Sequence, residues 1–248
     1  MIRLSEEATE QAFEAFCSGR QKWVHDIGFQ LKMYQAATKA FQGDGSLPDF
    51  NTVYKGLRKW KVFRAGSVQA PEVIHANLMA SDQDMRGKRL SELGPEEWPS
   101  VWKVMLRLKD VKQIKRGPSL MAISKFLHFW NPRLFIIFDR EAVEQGVFGR
   151  KLFLNHLPKA GMVTLQYGIG TGAHPRLGKY LRALVFASEF VKCNPGVLPE
   201  FARTVRALGV EGDVPADIET YEATAVEWCL IGLAEMPPSG VEVLGERT

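Results

Sequence analysis

The sequence predicts a mainly α-helical protein, multi-helical, with at most short strands. Three observations predict it. Apolar residues recur at helical spacing, as in Val53, Leu57 and Trp60, or Val101, Met105 and Leu108. Prolines and glycines fall between these runs, where helices start and stop. Residues 119–130 are apolar on almost every side, which suits a helix inside a domain rather than on its surface.

Residues 5–42 read as one or two amphipathic helices. Ser5 with Glu6 and Glu7 gives a capped, acid-rich first turn, and the pattern breaks near Ser18-Gly19. Phe13, Phe16, Trp23, Ile27 and Leu31 form the apolar side. A loop over 43–48 follows from its turn residues. Residues 49–64 are a helical unit in which Lys55, Arg58, Lys59, Lys61 and Arg64 alternate with Tyr54, Trp60 and Phe63. Cations can contact phosphates and aromatic rings can stack on bases, although a plain amphipathic helix has the same look.

Residues 72–79 form a short helix, and Pro95-Glu96-Glu97 has the form of a helix start. Arg107, Lys109, Lys112, Lys115 and Arg116 make a second basic group just ahead of the apolar run. Asn131-Pro132 ends that run, because proline cannot continue a helix and disfavours helical angles in its predecessor. Residues 134–138 are a short apolar segment, and Asp139 precedes a new helix from Arg140. Residues 162–167 look strand-like and lead into a loop, Gly168-Ile169-Gly170-Thr171-Gly172, that lacks the lysine and serine of a phosphate loop. Helices follow over 177–192, 199–208 and 216–234, then a loose tail over 237–248. Residues 1–236 fit a single helical domain, or two interlocked lobes.

Composition narrows the classes. The 248 residues are 46% hydrophobic, as in an ordinary globular protein. No window approaches a membrane span, and the start is too acidic for a signal peptide, so a cytoplasmic location is expected. Cys17, Cys193 and Cys229 are far apart and odd in number, which argues against a disulfide framework or a zinc site. No cofactor and no metal are expected. The net charge is +4, but from Glu200 onward ten acidic residues face three basic ones, a balance of −7 that leaves +11 on the body. A basic body suits a polyanionic partner, with DNA expected and RNA the alternative. Nothing in the sequence bears on oligomeric state.

The central stretch holds the candidate chemistry. Lys125 is the lone charge in the apolar run, and Asp139 stands at the entrance of the next helix. In the plain reading Asp139 caps that helix and Lys125 lays its stem along apolar neighbours. In the functional reading, charges in so apolar a setting are costly and mark a site. Helix, proline turn, short apolar run, Asp and new helix over 119–143 resemble the helix-hairpin-helix DNA glycosylases and the proteins described as having an oxoguanine-glycosylase fold. The resemblance implies a helical scaffold, DNA as partner and hydrolysis of a base–sugar bond, with Asp139 at the family's catalytic carboxylate. The family's Gly-x-Gly hairpin is replaced here by Lys115-Arg116-Gly117-Pro118-Ser119. Lys125 lies about a turn and a half beyond the position of the family's lysine, so its expected role is electrostatic help or a phosphate contact. Ser124, His128, Trp130 and Phe135 are candidate pocket residues. Ser124 and His128 with Asp139 also have the elements of a hydrolase triad, without a nucleophile-elbow sequence. The remaining alternative is a non-catalytic helical binding protein in which Asp139 is only a cap.

Overall fold

The computed structural model describes residues 2–20, 27–41, 45–60, 68–114, 117–208, 214–236 and 242–243. Its elements are helical apart from two-residue strands: β1 (Ile2–Arg3), α1 (Glu6–Gly19), α2 (Ile27–Phe41), α3 (Leu47–Lys59), α4 (Pro71–Met79), α5 (Gln83–Gly87), α6 (Trp98–Arg107), β2 (Gln113–Ile114) and β3 (Gly117–Pro118). The second half holds α7 (Leu120–Trp130), a π-helix (Arg140–Val147), α8 (Lys151–Leu154), α9 (Ala160–Tyr167), α10 (Pro175–Cys193), α11 (Val197–Ala207), α12 (Glu222–Glu235) and β4 (Glu242–Val243). The mainly α expectation therefore stands.

Local chemistry sets the helix ends. The Ser5 hydroxyl accepts from the Ala8 N–H at 3.1 Å, and Glu6 and Glu7 sit where the helix dipole favours anions. The Ser46 hydroxyl does the same for Asp49 at the start of α3. Gly168 closes α9 at φ +65°, a left-handed conformation that glycine adopts without steric cost. Asn131 ends α7. Its side-chain amide donates to the Met85 and Lys88 carbonyls, and its oxygen accepts from Arg133 N–H.

The buried apolar side chains form one contiguous cluster, with α7, α10 and α12 at its centre. Helix α12 is buried on every side from Glu222 to Ala234 and packs most closely on α1. A Cβ on Gly232 would stand 1.8 Å from the Ala12 carbonyl oxygen, so the two backbones touch there. This contact carries Glu227 into the interior.

Several local expectations are corrected. Residues 162–167 are helical, in α9: a lone strand leaves its backbone groups unpaired, whereas a helix satisfies them locally. The last helix starts at Glu222, after a separate 3-10 turn at Ile218–Thr220. Helix α6 starts at Trp98, with Pro95-Glu96-Glu97 forming a turn ahead of it. Within the expected loose tail, Glu242–Val243 pairs antiparallel with Ile2–Arg3. Between α6 and α7, where the resemblance implies a hairpin loop, β2 and β3 form a two-stranded ribbon with Gly117 at φ +104°.

Candidate functional site

Residues 134–138 have no strand partner among the described residues, yet Leu134, Phe135, Ile136 and Phe138 are fully buried. Buried backbone groups need hydrogen bonds, and here side chains supply them. His128 Nδ1 donates to the Phe135 carbonyl at 2.7 Å, and the Tyr180 hydroxyl donates to the Ile136 carbonyl at 2.7 Å. Ile137 N–H donates to Glu227 Oε2 at 2.9 Å, and Phe138 N–H donates to the Ser124 hydroxyl at 2.9 Å. The segment is thus held by α7, α10 and α12 and delivers Asp139 to a fixed place.

That place is a cavity of about 170 Å³. Lys125 and Asp139 both line it, together with Glu227, and Tyr34, Trp60 and Trp228 give it aromatic walls. Asp139 also caps the π-helix, its Oδ1 accepting from Ala142 N–H at 2.6 Å. A π-helix is a rare form that recurs at functional sites. Lys125 Nζ stands 5.2 Å from the centre of the Trp60 ring, a cation–π arrangement. Burial lowers the pKa of Lys125, while the nearby Asp139 and Glu227 charges partly restore it. Glu227 is 6% exposed, and burial pushes its pKa up to about 8. Asp139 raises it further, whereas the Ile137 N–H and Lys125 pull it down. Glu227 is therefore mostly protonated at neutral pH. The cavity gathers an amine and two carboxyl groups, and burial perturbs Lys125 and Glu227 there, as it does ionisable groups at many active sites.

His128 is fully buried and pushed down to about 4, chiefly by burial. Because a carbonyl only accepts, Nδ1 carries the proton. Nε2 then accepts from the Tyr34 hydroxyl at 2.5 Å. Both ring nitrogens are occupied. The Ser124 hydroxyl accepts from Phe138 N–H and donates to the Met121 carbonyl at 3.3 Å. The Ser124/His128/Asp139 set is therefore not arranged as a triad: the serine and histidine serve the backbone of 135–138.

Other expected residues are relocated. Phe135 is not a pocket wall: its ring is fully buried against Trp130, with ring centres 6.0 Å apart. Trp130 is not among the residues lining the Lys125 cavity and instead lines a separate recess of about 390 Å³ with Arg86, Arg133 and Asp217. Lys55, Arg58 and Lys59 are exposed on α3, and Lys59 immediately precedes Trp60, the helix cap that lines the cavity. Lys112 is buried, 4% exposed, and its carbonyl accepts from Ser119 N–H. Its backbone pairs with Val68 and Ser119, which places it inside the fold rather than on the basic surface expected for it. Lys61, Arg64, Lys115 and Arg116 lie outside the described residues.

Sequence reasoning passed over Glu227. The signal was present: a carboxylate midway along a helix otherwise apolar on every side, much as Lys125 stands in its own run. Tyr34 and Trp228 carried no such signal, since both read as core aromatics. Among the described residues no three His, Cys, Asp or Glu side chains gather so as to hold a metal ion. No helix among them is long and apolar enough to cross a membrane. No family model, curated protein or solved structure matches this chain.

Proposed function

We propose that this chain binds nucleic acid and hydrolyses a base–sugar bond, with an extruded base seated in the Lys125–Asp139 cavity. The observation that carries the reading is that Lys125 and Asp139, fourteen residues apart in sequence, face one cavity with aromatic walls. Enzymes that act on a base take it out of the stack and hold it between aromatic side chains. Tyr34, Trp60 and Trp228 supply those surfaces. As the bond to the base breaks, positive charge builds on the sugar. A fixed carboxylate beside it stabilises that charge, and Asp139 is held by its bond to Ala142. Lys125 balances the field of Asp139 inside the cavity. Lys55, Arg58 and Lys59 provide phosphate contacts next to Trp60. DNA is the proposed partner, with RNA as an arm of the test.

A second reading has one observation behind it. The bond from Ala142 to Asp139 is sufficient to make Asp139 a helix cap in a non-catalytic binding protein.

Base release from duplex and single-stranded DNA and from RNA, read beside a salt-dependent gel shift, separates the two. Under the first reading Asp139→Asn abolishes base release and leaves the gel shift intact. Under the second the wild type releases no base, and Asp139→Ala lowers stability by about 1 kcal/mol.

A further inference from the structure

We propose that Glu227 is the acid that protonates the departing base. The inference rests on the base–sugar hydrolysis reading and assigns a role to a residue which that reading leaves idle.

Glu227 reaches the cavity from α12, whereas Lys125 reaches it from α7. Its carboxyl is anchored at one oxygen only. Oε2 accepts the Ile137 N–H, which orients the group and leaves Oε1 to carry the proton. Glu227 lines the cavity, and among the described residues no hydrogen bond is made to its Oε1. The groups around it come from every neighbouring element. Lys125 and neutral His128 belong to α7, Asp139 to the start of the π-helix, and Tyr34 to α2. The Tyr180 hydroxyl of α10 is turned onto the Ile136 carbonyl. His128 has both nitrogens engaged, and Lys125 sits over Trp60. Asp139 is committed to the opposite task of meeting positive charge. Glu227 is thus the group in the cavity whose proton is both present at neutral pH and directed at nothing else.

The step balances as follows. The bond between the sugar carbon and the base nitrogen breaks, and its electron pair stays on the base. The Glu227 proton moves to the base, which leaves neutral. The new carboxylate is stabilised by the Lys125 ammonium. Water adds to the sugar carbon, and the proton it releases restores the acid. A bound base held by Trp60 and Trp228 meets donor and carboxylate in one cavity, and an acid that protonates the leaving group beside a second carboxyl is a recurrent arrangement in glycosidic bond cleavage.

The test is the pH dependence of base release by full-length wild type and Glu227→Gln. Glutamine keeps an oxygen for Ile137 N–H and cannot donate an acidic proton. Wild-type activity is expected to fall with pH above about 8, as the acid is lost. Glu227→Gln is expected to be slower by about 100-fold or more at neutral pH and flat through the same alkaline range. A variant as fast as wild type overturns the assignment. So does a slow variant that keeps the alkaline fall, since another group then supplies the proton. Base release by the wild type with either of those results leaves the hydrolysis reading standing. Absence of base release from every nucleic acid by the wild type overturns that reading, and this inference with it.

Discussion

The Ile137 N–H donates to Glu227 Oε2 at 2.9 Å, and this bond ties the last long helix to the segment that carries Asp139. It does two things at once. It satisfies a backbone donor that has no strand partner, and it fixes the orientation of a buried acid at the cavity wall. Ser124, His128 and Tyr180 perform the first task at the neighbouring residues. Glu227 alone among the four presents an ionisable group that changes state near neutral pH. The cavity is therefore built on a segment whose pairing is made by side chains from three helices.

Glu227 makes stability depend on pH. Its carboxyl titrates at about 8 in the folded chain against an ordinary value of 4.5. The folded state holds the proton more tightly, so this contribution is complete below pH 4.5 and is lost as pH rises through about 8. Glu227→Gln removes the dependence. The melting temperature of the variant, relative to wild type, is expected to climb between about pH 5 and about pH 8.5. An offset constant across that range rules out a buried acid of this kind.

Ser124→Ala addresses the serine. Alanine leaves the Phe138 N–H buried without its acceptor, at a cost of about 1–3 kcal/mol. Thermal or denaturant unfolding should register that loss, while base release at a temperature where the variant is folded stays near wild type. The reverse result, unchanged stability with abolished turnover, would make Ser124 a nucleophile and contradict the hydrogen bonds described above.

The fold class was legible because periodic apolar residues, proline breaks and caps all act locally. Ser5 and Asp139 cap their helices as local sequence chemistry requires. The joint placement of Lys125 and Asp139 needed the path of 134–138, and that path depends on side chains up to ninety residues away, such as Glu227 for Ile137. Lys112 shows the opposite limit. Its neighbours Lys109, Lys115 and Arg116 made it look like part of a basic surface, but pairing around Val68 and Ser119 buries it. Residues 162–167 were misread for a simpler reason: a short apolar run has no period of its own, and the partner it would need as a strand is missing among the described residues.

Lys125→Met separates electrostatics from packing at the same site. Methionine keeps an unbranched apolar stem beside Trp60 and removes a cation whose burial is already unfavourable, as its lowered pKa records. The substitution also leaves Asp139 without the cation that balances it, and removing one partner of a desolvated charge pair is destabilising, so the melting temperature at neutral pH should fall. The acid at Glu227 responds in the other direction. Lys125 pulls its pKa down, so without that cation the carboxyl titrates above its present value of about 8. Carbon-13 NMR of labelled glutamate, assigned with Glu227→Gln, reads this shift directly, whether or not turnover is measured. In the activity profile the alkaline fall should move to higher pH, while the rate at neutral pH drops because the new Glu227 carboxylate loses its counter-charge. A titration that moves downward, or does not move, would mean that Lys125 and Glu227 do not share the cavity's field.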